Sequence, residues 1–520
     1  MKKKLTGIIV ILFCFSELSL GGPERDGNSN GSPLSGPVFV LYPSTPRALK
    51  SDTYRVMING QEAFVEKLAR FDIPVHFVRL AYNGKQSLSV EVLVPGRIHS
   101  YRISPVKNKV KAKKLGNRLL FSLYKPGYVV VKVDSLEYLF LLIDEPEVNP
   151  PVLSDPGVKN ILDYGVDRAG GRLETNTLQQ AIDDASANPS RHLLYFPAGE
   201  YRTGELRMKS NVFIYLEPGA VIKGSSKHSD YKESLIRFEN VKHVRIMGRG
   251  TIDGSGWDGL RRDGAKEIYL LFLSGCQDIW IDGPVLRDPC FWNTRVFRSS
   301  AVHLRNLKII NNCPALNWTN TDGVDFDSST GCDMINAIMH TGDDNMVVKG
   351  LDTTGLYNTE QIRFEKVIGI SNSAAAKIGT ETSVKQIQHI AFRDIDVVRC
   401  KRAFVISGFD SSEIRDILVS GMRVEQVVYQ GKEKPRIIDI EVTDKSWRDC
   451  TGRCRVSDIM IRNMQVYFPL KGVEMQILGR TPEFGIRGVA IKGLKVQNRL
   501  INSCSAGHIR INDFVSGLTF

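Results

Sequence analysis

The chain has 520 residues, 42% hydrophobic and 24% charged, with a formal net charge of +12. That length is too great for one ordinary compact core unless the fold is elongated and repetitive, and the composition is that of a folded protein rather than a disordered or fibrous one. A basic balance suits an acidic partner such as a uronate or sulfated glycan, or serves only solubility.

The N-terminus reads MKKK, then the apolar LTGIIVILFCF, then SLGG, the layout of an export signal over 1–21. Neither this run nor any later one is long enough to span a bilayer, so a secreted or periplasmic protein without a membrane span is expected. Losing Lys2, Lys3, Lys4 and Glu17 with the signal lowers the formal charge from +12 to +10. Of the 9 cysteines, Cys14 falls in this segment, where the residues before it do not suit a lipid anchor. The others form no CxxC pair and have no His at zinc spacing, so neither a metal nor a cofactor is expected. Cys450 and Cys454 are close enough to bridge; Cys290, Cys313 and Cys332 fit equally as small buried hydrophobes.

Residues 22–36, ERDGNSNGSPLSGP in the main, read as a flexible tether. Over 37–145 the segments VFVLYP, YRVMI, HFVRLAY, LSVEVLV, SYRISP, RLLFSLY and YVVVKV run or alternate apolar at strand length, which predicts a β-sandwich. The basic run VKNKVKAKKLGNR within it reads as a solvated hairpin. Residues 146–160 form a Pro-rich linker.

From 161 to 520 the texture changes. NTLQQAIDDASA has helical spacing, with Thr177 and Gln180 placed as a capping box. Short strand signals then recur at intervals of about 25 to 35 residues, each with two apolar segments and a Gly, Asn or Asp turn. A coil of this kind cannot bury its own apolar face, but stacked coils can. The expected class is therefore all-β, a right-handed parallel β-helix capped by the early helix, with a propeller or a larger sandwich as the competing architecture.

The stretch NTDGVDFDSSTGCDMINAIMHTGDDNMVVKG holds Asp322 and, 21 residues later, the pair Asp343 and Asp344. A lone Asp in a turn is an ordinary turn residue. Turn preference does not explain two acidic motifs one minimal coil apart. In a parallel β-helix, residues one coil apart stack about 4.8 Å apart, so the three carboxyls should gather on one exposed face. Crowding raises at least one pKa and keeps a proton available for a leaving oxygen.

NTDGVD and TGDDNMVVKG resemble two signatures of glycoside hydrolase family 28, the polygalacturonase family, with similarity from about Ile161 into the 430s. That family is a pectin-lyase-like solenoid of inverting hydrolases. The resemblance implies a polysaccharide hydrolase in which Asp343 is the general acid, Asp322 and Asp344 hold and activate the water, and Asn320 orients them. Two signatures depart. SNSAAAKIGTET places Ala374 near the family's His, with Lys377 in the same loop, and KRAFVIS keeps Arg402 but has Phe404 where the family has Lys. The chain is also similar to family 49, the dextranases and isopullulanases, which lack the His and carry a sandwich before the β-helix.

Several residues allow two roles. Lys377 contacts substrate, or pairs with Glu381 or Asp343. Arg402 binds a substrate carboxylate. His340 faces the cleft or is a hydrogen-bonded structural residue. Trp292 and Trp318 stack on sugar rings or fill the core. Lys349 is solvated or supports a ladder. A monomer acting on a polysaccharide, without nucleic acid, is expected. A glycan-binding β-helix without activity, and a Ca²⁺-dependent lyase, are the readings from other classes.

Overall fold

A computed structural model describes residues 38–520 apart from 69–73, 189, 191, 261–262, 265–266, 312–319 and 429–432, and apart from the side chains of 257 and 258. The expected signal and tether, Cys313 and Trp318 lie outside the described residues. From Val38 onward the chain is one compact unit. Among the described residues no helix is long and apolar enough to cross a membrane.

The first hundred described residues, from Val38 onward, alternate as half-buried strands do. Leu88–Leu93 and Arg118–Leu123 bury every second side chain. They assemble into a 7-stranded and a 5-stranded sheet, and the inner faces share a core that includes Val56, Leu80, Val90, Phe121 and Leu141. This is the β-sandwich. Two of its strands, Val75–Tyr82 and Leu139–Asp144, are buried on both faces. Their second face, with Phe77, Phe140 and Leu142, packs against Ile310, Ile338 and Ile370 from later in the chain. Double burial accounts for the apolar run LFLLI of the second strand, while the first also buries His76 and Arg79. Polar contacts fix the same seam: Arg287 reaches Glu66 at 2.5 Å and Asp253 at 2.8 Å, and Lys308 reaches Asp144 at 2.8 Å. Buried pairs of this kind set orientation more than they add stability.

The solenoid begins with Val158–Asn160, which pairs in parallel with Leu193–Phe196 and so starts inside the segment expected to be linker. The helix Thr175–Ala187 buries Leu178, Ala181, Ile182 and Ala185, the stripe that 3.6-residue periodicity produces, and closes the end of the solenoid core. It starts two residues before the expected cap. Thr177 lies inside the first turn, where its hydroxyl donates to Glu174 Oε2 at 3.2 Å.

Thereafter the chain winds as a right-handed parallel β-helix. One sheet of 11 strands runs in strict coil order from Leu206–Arg207 to Ile509–Ile511, and a second path links 24 strands, among the described residues. The register is continuous: Thr294 pairs with Val324, Val324 with Met346, Met346 with Ala376, Ala376 with Phe404 and Phe404 with Ile438. Inside, Phe326, Phe364, Phe392 and Phe404 form a stack with successive centroid distances of 5.2, 5.4 and 6.0 Å. At one turn Asn306 and Asn336 both take positive φ, 52° and 58°, and Asn336 Nδ2 donates to Asn306 Oδ1 at 2.7 Å. Asn tolerates this region, which explains the turn composition. Cys290 and Cys332 are buried. Cys450 and Cys454 do not bridge: both are thiols, with Cys454 Sγ 3.3 Å from Thr382 Oγ1.

Phe364 touches aromatic neighbours on both adjacent rungs, so Phe364→Ala opens a cavity the stack cannot close. Urea unfolding should register a loss of about 3–5 kcal/mol. A loss below about 1 kcal/mol would mean that the coils do not depend on this stack.

Candidate active site

The 11-stranded sheet carries a turn before each strand, and the register of the strands aligns those turns. Two residues upstream of Val324, Met346, Ala376 and Phe404 stand Asp322, Asp344, Ala374 and Arg402. The strand pairing puts them in one column, one rung of about 4.8 Å apart. The turns keep the register: Gly323 N donates to Asp344 O at 2.8 Å, and Asn345 N to Ala374 O at 2.9 Å. Gly323 is required at that close approach, because a Cβ would collide with Asn345 O and Met339.

Asp343 is half-buried and is the most open of the three aspartates; Asp322 and Asp344 are 3% and 2% exposed. The exposed face expected from the sequence is thus largely enclosed. Asp343 Oδ2 accepts from Asn320 N at 2.7 Å and Oδ1 from Asp344 N at 3.0 Å. Its carbonyl accepts from Thr341 Oγ1 at 2.5 Å and Ser371 Oγ at 2.7 Å. Asp344 is held at both oxygens: Oδ1 accepts from Ala374 N at 2.7 Å and Oδ2 from Lys377 Nζ at 2.6 Å.

A second cation lies beneath the first. Lys349, 4% exposed, has Nζ 3.3 Å from Glu381 Oε2, 3.4 Å from Asp325 Oδ1 and 3.8 Å from Asp322 Oδ2. Its ammonium also sits 3.7 Å from the centroid of the Trp292 ring. Glu381 reaches this group because the strand Ala374–Thr382 shifts register between its pairings with Val348 and Gly350; a bulge re-aims side chains in this way.

Four carboxyls therefore pair with two lysines, a fifth, Asp343, adjoins Asp344, and their protonation diverges. Burial raises Asp322 well above the usual carboxylate range, helped by the charges of Asp325 and Asp343. Burial takes Asp325 to about 7 against the pull of Lys349. Asp343 is raised by burial and by the Asp344 charge. For Asp344 burial acts upward too, but Lys377 and Arg402 outweigh it and hold it below the usual range. Glu381 is likewise held at about 2, with Lys349 and Lys377 overcoming its burial. Burial opposes the charge on Lys349, yet Asp325, Asp322 and Glu381 raise its pKa further still. A proton-bearing acid next to an ionised one is the arrangement that general acid–base chemistry needs.

Of the residues singled out in the sequence, Asp322, Asp343, Asp344 and Lys377 come together, and Asn320 joins them through its backbone N–H. Arg402 stands on the next rung, one-fifth exposed, with Nη2 3.4 Å from Ser373 Oγ and Nη1 3.9 Å from Asp439 Oδ2. Lys377 pairs with Asp344 rather than with Glu381 or Asp343.

Two of the expected binding residues point elsewhere. His340 lies on the sheet that the sandwich covers. Its Nδ1 is 3.0 Å from Asn311 O, its ring packs edge-on to Phe140 and Tyr138 at 5.8 and 6.4 Å, and burial takes its pKa down to about 4. It is a neutral structural histidine. Trp292 offers no open face to a sugar, because Phe291 stacks on it at 5.3 Å and Lys349 lies over its ring.

Lys349, expected to be solvated or to support a ladder, is central and buried. Asp325 was not singled out, although the sequence carries a signal for it. VDFD puts two acids on the outward face of a strand whose Val324 and Phe326 fill the core, and paired acids are unusual in a strand.

The family model described as "Glycosyl hydrolases family 28" matches residues 188–508. Among curated relatives, an exo-poly-alpha-D-galacturonosidase of Dickeya chrysanthemi is 25% identical over 275 residues, 39% of this chain and 44% of the relative. A probable polygalacturonase of Vitis vinifera is 27% identical over 303 residues, 51% of this chain and 60% of the relative. The chain thus spans about half the length of these relatives. Two solved structures share the fold. A hyperthermoactive exopolygalacturonase from Thermotoga maritima has a TM-score of 0.52 at 17% identity, over 72% of this chain and 94% of that one. Dex49A from Penicillium minioluteum has a TM-score of 0.61 at 14% identity, over 91% of this chain and 96% of that one; the wider coverage takes in the sandwich. With the family model covering more than half of its length, this chain belongs to glycosyl hydrolases family 28.

Proposed function

We propose that the protein is an exported glycosidase that hydrolyses an acidic, galacturonan-type polysaccharide with inversion at the anomeric carbon. The observation that carries this reading is the contrast within one turn: Asp343 is pushed toward its protonated form while Asp344, clamped by Lys377, is held ionised. The names of the curated relatives support the substrate class.

In the proposed reaction Asp343 gives its proton to the leaving glycosidic oxygen as the bond to the anomeric carbon breaks. A water attacks that carbon from the opposite face, and its proton passes to Asp344, with Asp322 sharing the hydrogen-bonded water. Asp343 ends ionised and Asp344 protonated, and exchange with solvent restores both. No covalent sugar intermediate forms, so the first product carries the opposite anomeric configuration. Arg402, two rungs on from Asp344 and partly open, is the cation for a substrate carboxylate.

Purified protein in EDTA should release reducing ends from polygalacturonate, without an unsaturated product absorbing in the ultraviolet, and not from dextran. Proton NMR of the first product should show the inverted anomer. A retained anomer would contradict the proposed mechanism. Asp343→Asn removes the proton donor and should lower turnover by about 10²–10⁴-fold with little change in unfolding; full activity on the true substrate would refute that assignment.

Lys377→Met tests the electrostatics. Without the ammonium the pKa of Asp344 rises, so the acidic limb of the kcat/KM profile should move to higher pH by about 1 unit. The alkaline limb should follow more weakly, because Lys377 also acts on Asp343 but without direct contact. An unmoved acidic limb would show that Asp344 does not act as the base.

A further inference from the structure

The basic run of the sandwich does not behave as one surface. Lys107 turns toward the β-helix, where it lies 2.8 Å from Asp394 and 2.7 Å from Asp396. Lys109 then takes a left-handed conformation at φ 49° after the short helical turn Val106–Asn108. From there the chain runs on through Lys111 into the strand Ala112–Leu115. Lys109, Lys111 and Lys113 all line a groove of about 790 Å³ whose wall residues all lie between Ser89 and Val129. A fourth cation, Lys125, and Tyr124 come to the same groove from the loop after Arg118–Leu123.

All four lysines are exposed, and among the described residues none has a carboxylate within ion-pair distance. Tyr124 is 73% exposed, while Phe121 beneath is buried. Ala112–Leu115 is the edge strand of the 5-stranded sheet, and edge lysines do prevent strand addition. That purpose accounts for the lysines of the strand. It does not account for Lys125 and an open tyrosine, which converge on the groove from a different segment.

We infer that this groove is a second glycan site, separate from the carboxylate cluster, which holds a chain of an acidic polysaccharide by its carboxylates while Tyr124 stacks on a sugar ring. The chemistry fits that class of ligand: unpaired ammoniums for spaced carboxylates, an aromatic face for a pyranose, and the hydroxyls of Ser89 and Ser122 on the same wall. The site would keep the enzyme on its polymer between cleavages. The inference rests on the reading that the substrate is acidic.

The test uses the full chain carrying Asp343→Asn, so that the polymer survives, in native gels containing polygalacturonate, dextran or poly-L-glutamate. The background protein should be retarded by polygalacturonate and not by dextran, with less retardation as salt is added. Lys111→Gln/Lys113→Gln/Lys125→Gln should weaken binding about tenfold, and Tyr124→Ala should weaken it as well. In the otherwise wild-type chain the triple variant should cleave short galacturonate oligomers at the unaltered rate. Unchanged retardation of the triple variant would overturn the inference. So would equal retardation by poly-L-glutamate together with no effect of Tyr124→Ala, since that describes a basic patch without sugar recognition. If wild-type protein fails to cleave any galacturonan while the groove variants still lose binding, the substrate reading fails and the groove stands.

Discussion

Five carboxyl groups crowd around two lysine ammoniums, four of them in direct contact, in a region with little access to water, and the behaviour of the site follows from that imbalance. Coulomb attraction between Lys377 and Asp344, and between Lys349 and its three acids, is strong where solvent is excluded. It cannot satisfy every carboxylate at once. Ionising all five would leave uncompensated charge under the surface, a cost that proteins escape by retaining protons. The cluster therefore holds at least one proton near neutrality, on the acids with raised pKa: Asp322, Asp325 and Asp343. Asp343 is the most open of these, and in the proposed reaction it is the one that delivers its proton.

The scaffold supplies this imbalance through its repeat. Parallel stacking repeats one turn geometry on every rung, so residues 22, 30 and 28 positions apart along the chain fall into the single column Asp322, Asp344, Ala374, Arg402. The small Ala374 in that column gives its backbone N–H to Asp344, and Lys377 on the same strand reaches the other carboxylate oxygen. A cation on a neighbouring residue thus serves a position where the family resemblance had suggested a histidine. The sandwich shields the opposite face of the coils. Its strands bury Ile310, Ile338 and Ile370, leaving the carboxylate column on the side it does not cover.

Much of this was legible in the sequence because it depends on spacing. The step from Asp322 to the Asp343–Asp344 pair is one coil, 22 residues by the strand register, and the alternating runs before residue 145 are strands of a sandwich. What the sequence did not reveal depends on which face of each strand is covered, and on local slips of register. His340 stands only three residues before Asp343, yet it belongs to the sheet beneath Phe140 and Tyr138, and no periodicity within its own strand marks that face as covered. Trp292 became a seat for Lys349 because a lysine two coils on reaches its ring. Glu381 enters through a register shift that pairing rules do not forecast. Lys349, taken alone, looks like any charged residue at a strand end.

The most direct test of the retained proton is infrared spectroscopy of the ligand-free protein near pH 6, comparing wild type with Asp343→Asn and Asp322→Asn. Imbalance of charge in the cluster predicts a carbonyl stretch of a protonated carboxylic acid in the wild type, diminished or displaced in each variant. A wild-type spectrum showing only ionised carboxylates at that pH would contradict it.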